Sequence, residues 1–133
     1  MTGADIIADM LRSDTAIVVK VPAPQIKLGR LPDGTPLPAL LVRVVSLTDR
    51  QPLKRGDVIR SIARVSVAVR AENYRDQSAI IKLVRKCCAG RTGDFGNARR
   101  VSILTAGLGP DVNGPGNTFE QTQDFRVSFD AQE

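Results

Sequence analysis

The sequence predicts an α+β fold: a mostly antiparallel sheet of four to five strands with two helices packed on one face. Three observations carry it. Val58 to Ala71 alternates with period two, placing Ile59, Ala63, Val65, Val67 and Val69 on one face and Arg60, Ile62, Arg64, Ser66, Ala68 and Arg70 on the other. Tyr74 to Cys88 switches to helical spacing, with Ile80, Ile81, Val84, Cys87 and Cys88 in one stripe. The helical and extended segments also follow one another as helix, (short strand), strand, strand, helix, strand, strand, not as repeated strand–helix–strand units.

The first helix is expected over Ala4 to Leu11. Thr2, followed three residues later by Asp5, suits a capping box, and Ile6, Ile7, Met10 and Leu11 form its apolar stripe. Ser13-Asp14 can cap a short second turn through Ile17, although the β-branched run Ile17-Val18-Val19 prefers a strand. Residues 21–38 form an arm punctuated by Pro22, Pro24, Gly29, Pro32, Gly34, Pro36 and Pro38. Gln25 to Leu31 suits a short edge strand there. Pro32-Asp33-Gly34 then reads as a turn with Pro at its first central position. Leu40 to Leu47 is almost continuously apolar, as in a strand covered on both faces, and Gln51 to Asp57 supplies a polar turn.

Asn73 caps the Tyr74 helix, Asp76 favours its N-terminal dipole, basic residues gather in its last turns and Gly90 ends it. Arg100 to Ala106 reads as a strand with Val101 and Ile103 on one side. Gly107 to Asn117 has the composition of a mobile loop. The closing strand, Phe119 to Asp130, points Phe125, Val127 and Phe129 inward and Asp124, Arg126, Ser128 and Asp130 outward.

At 133 residues and 14.3 kDa the chain is read as a single domain over 1–133. Aromatic residues are only 4% of it, so the core has to be aliphatic. The chain has no His, which removes imidazole acid–base chemistry, the usual serine and cysteine triads and imidazole metal sites. No apolar run approaches the ~18–20 residues that span a bilayer, so no membrane partner is expected. The first residues, Met1-Thr2-Gly3-Ala4-Asp5, do not resemble a secretion signal. Cys87 and Cys88 are adjacent, a spacing that strains a disulfide, and they read as reduced core thiols of a protein made in a reducing cytosol.

Little in the chain resembles a catalytic motif. Asp94-Phe95-Gly96 has the letters of the kinase metal-binding triplet, but none of the other kinase motifs accompanies it. The cysteines sit near a helix C-terminus, which disfavours thiolate, and no carboxylates converge by pattern. No catalytic residue, metal or cofactor is therefore expected. The Arg60, Arg64 and Arg70 stripe, which Arg43 on the preceding strand can join, leaves three readings open. It is a solvated face, a contact with another subunit or protein, or a phosphate-binding surface. A net charge of +5 allows the last without establishing it.

Several strings resemble one family. Leu37-Pro38-Ala39-Leu40-Leu41-Val42-Arg43-Val44-Val45-Ser46 resembles the entry into the first main strand of phage tail-completion proteins (tail terminators, which join head to tail). Arg64-Val65-Ser66-Val67-Ala68-Val69-Arg70-Ala71, then Asn73-Tyr74 and Ile80-Ile81-Lys82-Leu83-Val84-Arg85, resembles the family's long strand running into an amphipathic helix. Gln123-Asp124-Phe125-Arg126-Val127-Ser128-Phe129 resembles its final strand. Gly107 to Asn117 departs from the pattern, being longer and richer in Gly and Pro.

The resemblance implies a non-enzymatic virion protein at the head-proximal end of a phage tail, assembled in the host bacterial cytoplasm. It implies a ring, typically of six, that ends tail-tube polymerisation and meets the head connector. Its implied partners are further copies of itself, the tail tube protein and the connector or adaptor, with DNA in passing contact. Such a ring needs two different faces per subunit. Arg43, Arg60, Arg64 and Arg70, together with Leu31, Pro32 and Asp33 of the arm and Val112 and Asn113 of the loop, are the candidate subunit or partner contacts. The competing reading is a small basic nucleic-acid-binding domain.

Overall fold

The computed structural model describes residues 2–50 and 58–132. The turn expected over Gln51 to Asp57 lies outside the described residues.

Helix α1 (Gly3–Ser13) opens on the expected capping box. The Thr2 hydroxyl accepts from the Asp5 N–H at 3.2 Å, and the Asp5 carboxylate accepts from the Thr2 N–H at 2.8 Å. Ile6, Ile7, Met10 and Leu11 are buried beneath it. Asp14 then ends α1 and starts α2 (Thr15–Lys20), where its Oδ1 accepts from the N–H groups of Ala16 and Ile17 at 2.9 and 3.2 Å. The cap and the complete burial of Ile17 outweigh the strand preference of Ile17-Val18-Val19. Helix α3 (Tyr74–Cys88) is capped by Asn73, whose Oδ1 accepts from the Asp76 N–H at 2.8 Å, and it buries Ile80, Ile81, Val84, Cys87 and Cys88.

The strands are β1 (Ile26–Leu28), β2 (Ala39–Arg50), β3 (Val58–Ala71), β4 (Thr92–Phe95), β5 (Ala98–Leu108), β6 (Val112–Gly114) and β7 (Thr118–Gln132). They form one sheet in the order β1-β2-β3-β7-β5-β4, with β6 also beside β7. This corrects the expected fold class. In place of four to five mostly antiparallel strands and two helices, the described residues form seven strands in a mixed, strongly curled half-barrel with three α-helices.

The differences have local causes. β4 and β6 are four and three residues long and contain Gly93 and Gly114, so no alternation marks them; each is extended because a neighbouring backbone pairs with it. β1 runs parallel to β2 because the arm carries the chain back along the sheet before β2 begins. The register shifts between Val44 and Ser46, Arg99 and Ser102, and Thr105 and Gly107, and irregularities of this kind bend a sheet and increase its twist. In the arm, the turn bond runs from the Thr35 N–H to the Pro32 carbonyl at 3.2 Å. Asp33 and Gly34 are therefore the central residues, with Gly34 at φ +79°, and Pro32 stands one position earlier than expected.

Helices α1 and α3 cover the face of the sheet that carries Val65, Val67, Val69, Phe125, Val127 and Ile103, all completely buried. β2 departs from expectation. Leu40 and Val42 are buried, but residues 43–50 are exposed on both faces. The helical layer ends at Val42, so the outer two-thirds of this apolar strand projects beyond it.

Candidate functional site

The arginine stripe forms as predicted in position, but its charge is met within the same sheet. β3 lies antiparallel to β7, which sets Arg70 opposite Glu120, Ser66 opposite Asp124 and Arg60 opposite Asp130. Directly opposed residues share a face, so the three arginines and three acids occupy one surface. Arg64 Nε donates to Asp124 Oδ2 at 2.8 Å and its NH2 donates to the Ala106 carbonyl at 2.9 Å. Arg70 donates to Glu120 Oε2 at 3.3 and 3.4 Å. Arg60 donates to the Arg100 carbonyl at 2.7 Å and to Asp130 Oδ1 at 3.3 Å. Arg100 also pairs with Asp130. The hydrogen bond from Arg100, assisted by that from Arg60, holds the Asp130 carboxyl below the usual carboxylate range and raises Arg100.

Arg43 stands on β2 opposite Ser66, on the same face, and is exposed with no ion pair among the described residues. The other predicted contacts lie on other elements. Pro32 and Asp33 are exposed and Leu31 is half-buried, in the arm beside the β1–β2 edge. Val112 and Asn113 are exposed on β6, opposite Glu120 and Phe119 of β7. Because Glu120 lies opposite both Arg70 and Val112, the structure brings Val112 beside the Arg70 end of the stripe and leaves residues 31–33 as a separate group. The loop 107–117 that holds Val112 and Asn113 is anchored by side chains from β7. Gln121 Nε2 donates to the Gly109 carbonyl at 2.8 Å and Gln123 Nε2 to the Gly107 carbonyl at 3.1 Å.

Sequence reasoning missed two features. One is the acids that neutralise the stripe. The outward positions of Asp124 and Asp130 on β7 were legible, but Glu120 and the β3–β7 pairing that delivers all three were not. The other is a set of exposed aliphatic side chains at the sheet's flanks. Val44, Val45 and Leu47 of β2 are 41, 56 and 57% exposed, and Leu104 and Leu108 of β5 are 56 and 43% exposed. Their signal was the length of the two strands relative to the helices that cover them.

A cleft of about 390 Å³ lies between α1, α3 and β4, lined by Met10, Asp14, Cys87, Arg91, Asp94 and Phe95 among others. Cys87 donates to the Met10 carbonyl at 3.6 Å, and the Cys88 thiol is pushed up by its bond with Cys87 and by burial. Both thiols are buried, and the bond that pushes Cys88 up lowers Cys87. Arg91 lies 5.7 Å from the Phe95 ring centroid. Among the described residues no cluster of His, Cys, Asp or Glu is arranged to hold a metal ion, and no helix is long and apolar enough to cross a membrane.

The fold and these surfaces define a curled half-barrel with open flanks and a charged face on which Arg60, Arg64 and Arg70 are paired with acids of β7 while Arg43 and Arg126 are exposed with no salt bridge among the described residues. The chain is similar to one in a solved structure described as the virion of a native gene transfer agent (GTA) particle. The TM-score is 0.71 at 13% identity, covering 97% of this chain and 95% of that one. At that identity the likeness is one of fold. No family model and no curated protein matches the sequence.

Proposed function

We propose that this chain is a structural protein of a phage-like virion. In the finer form of this reading it caps the head-proximal end of the tail as a closed ring of six, ends tube polymerisation and joins the tail to the head connector. One observation carries the coarser part: the fold matches that of a GTA virion chain over nearly the full length of both. The tail-terminator resemblance of the strand, helix and closing-strand sequences supports the finer part. The partners are then further copies of this chain, the tail tube protein and the connector, with DNA passing through the ring. The role requires shape and adhesion and no bond-making chemistry.

The arginine stripe has less to offer a polyanion than its sequence suggests. Arg60, Arg64 and Arg70 each hold a carboxylate of their own chain, so phosphate would have to displace Asp130, Asp124 and Glu120. This weighs against the nucleic-acid-binding alternative. The test is to disrupt the coding sequence in a particle-producing strain and image the particles by electron microscopy. Detached heads and tails of unregulated length are expected. Intact particles with normal tails would overturn the proposal.

A further inference from the structure

Soluble proteins usually blunt the edges of their sheets with charge, proline or a covering element. Two stretches of this sheet's edges, Val44–Thr48 and Leu104–Leu108, carry no charge, no proline and no covering strand among the described residues, and are interrupted only by the register shifts at Val44/Ser46 and Thr105/Gly107. β1 pairs with β2 only from Leu40 to Val42, and the Gly29 N–H adds one bond to the Val42 carbonyl at 2.9 Å. Beyond that, residues 43–50 have β3 on one side and no strand on the other among the described residues. On the far flank, β4 pairs with β5 as far as Ser102, and Gly90 and Arg91 extend the pairing to Ile103. Residues 104–108 then have β7 on one side and nothing strand-like on the other among the described residues.

The two open edges match in chemistry and in level. Val44-Val45-Ser46-Leu47-Thr48 and Leu104-Thr105-Ala106-Gly107-Leu108 contain no charge and no proline, and both present the exposed aliphatic groups described above. Ser46 lies opposite Arg64, Arg64 opposite Arg126 and Arg126 opposite Leu104, so both edges open at the same height across the sheet. Each step from β2 through β3 and β7 to β5 is antiparallel, so β2 and β5 run in opposite directions. A neighbouring copy turned about an axis along the strands would therefore set its β5 antiparallel to β2.

We infer that residues 44–48 of β2 pair, strand to strand, with residues 104–108 of β5 in a second copy of this chain. The inference rests on the self-assembly part of the proposed function and supplies its surface. Backbone hydrogen bonds give the junction its register, and burial of Val44, Val45 and Leu47 against Leu104 and Leu108 gives it strength. The contact is head-to-tail, since each copy uses two different edges, and it closes into a ring when the rotation per subunit divides a full turn.

Two double variants of the full chain separate the edges: Val45→Lys with Leu47→Lys, and Leu104→Lys with Leu108→Lys. All four side chains are exposed in the single chain, so circular dichroism and the melting temperature should stay near wild type. The single changes Val45→Lys and Leu104→Lys replace a pair that lowers the melt. Light scattering over a concentration series reads the mass. Wild type is expected to form a species several times heavier than 14.3 kDa at high concentration, and each variant alone to stay at one chain mass. An equimolar mixture should give a species of two chains and nothing larger, because only one edge of each remains usable. Variants that assemble like wild type would overturn this surface while leaving self-assembly standing. A β5-edge variant that pairs with itself would show an isologous β2 contact and would also overturn it, as would a mixture that stays at one chain mass. Wild type that remains at one chain mass throughout would remove both the junction and the self-assembly on which it rests, while particle imaging still decides the virion role.

Discussion

Gly3 is the tightest joint between the helical layer and the sheet. A Cβ placed there would stand 2.9 Å from the Ala63 Cβ, 3.1 Å from Val65 Cγ2 and 3.7 Å from the Val127 Cβ. Ordinary carbon–carbon contact is about 3.5–4.0 Å, so Gly3→Ala must part α1 from β3 by most of an ångström. Ala63 has no rotamer to yield, and β3 is held between β2 and β7 at that level. The whole of α1 would lift, thinning contacts made by Ile6, Ile7 and Leu11. Overpacking of this kind costs roughly 1–3 kcal/mol. The reduced freedom of the unfolded chain on replacing Gly by Ala returns about 0.4–1 kcal/mol. The net expectation is a loss of about 1–2 kcal/mol, read as a lower urea midpoint with unchanged slope. Ala63→Gly should relieve the clash, so the double-mutant cycle should show a favourable coupling of about 1 kcal/mol. A Gly3→Ala chain as stable as wild type, with no coupling to position 63, would refute this packing.

Val67 is completely buried beneath the helices, and Val67→Asp should cost more than about 4 kcal/mol by placing an unpaired charge there; a cooperative native-like melt would contradict the assigned faces of β3. Replacing Arg60, Arg64 and Arg70 together by Ser should leave the chain folded but less stable by roughly 1–3 kcal/mol, since each loses one half-exposed ion pair; loss of the circular dichroism spectrum would mean that the stripe is structural. The carboxyl of Asp130 is held below its unfolded value, so its stabilisation is present at neutral pH and is lost as pH falls below about 4 through the folded pKa. Asp130→Asn should therefore destabilise at pH 7 and converge on wild type as acid protonates the folded carboxyl, and a difference independent of pH would refute the ion-pair account.

Legibility followed the range of the forces involved. The starts of α1 and α3 were readable because Thr2 with Asp5, and Asn73 with Asp76, bond within three residues of each other. The inward faces of β3 and β7 were readable because Val65, Val67, Phe125 and Val127 alternate within their own strands. β4 and β6 were not, because Thr92–Phe95 and Val112–Gly114 are extended only by virtue of partners distant in sequence. The same limit applied to the site. The arginines of β3 were visible as a stripe, but Glu120, Asp124 and Asp130 reach them only through the register of β3 on β7. The apolar run of β2 is visible too, with the pattern of a strand covered on both faces; how far the helices extend over it depends on where α1 docks, which no local pattern records.

The internal pairing of the stripe changes what salt should do. A ring of strongly basic subunits suggests contacts between opposite charges, which salt would weaken. The junction inferred here joins Val44–Thr48 to Leu104–Leu108, neither of which carries a charge, in subunits that each bear +5. The electrostatic term between copies is then mainly repulsion, and screening relieves it as the Debye length contracts from about 10 Å at 0.1 M to about 3 Å at 1 M. Self-association measured in sodium chloride should hold or tighten across that range, whereas docking of the same subunits to an acidic partner should loosen. Assembly that dissolves as salt rises would place charge, not strand edges, at the subunit contact.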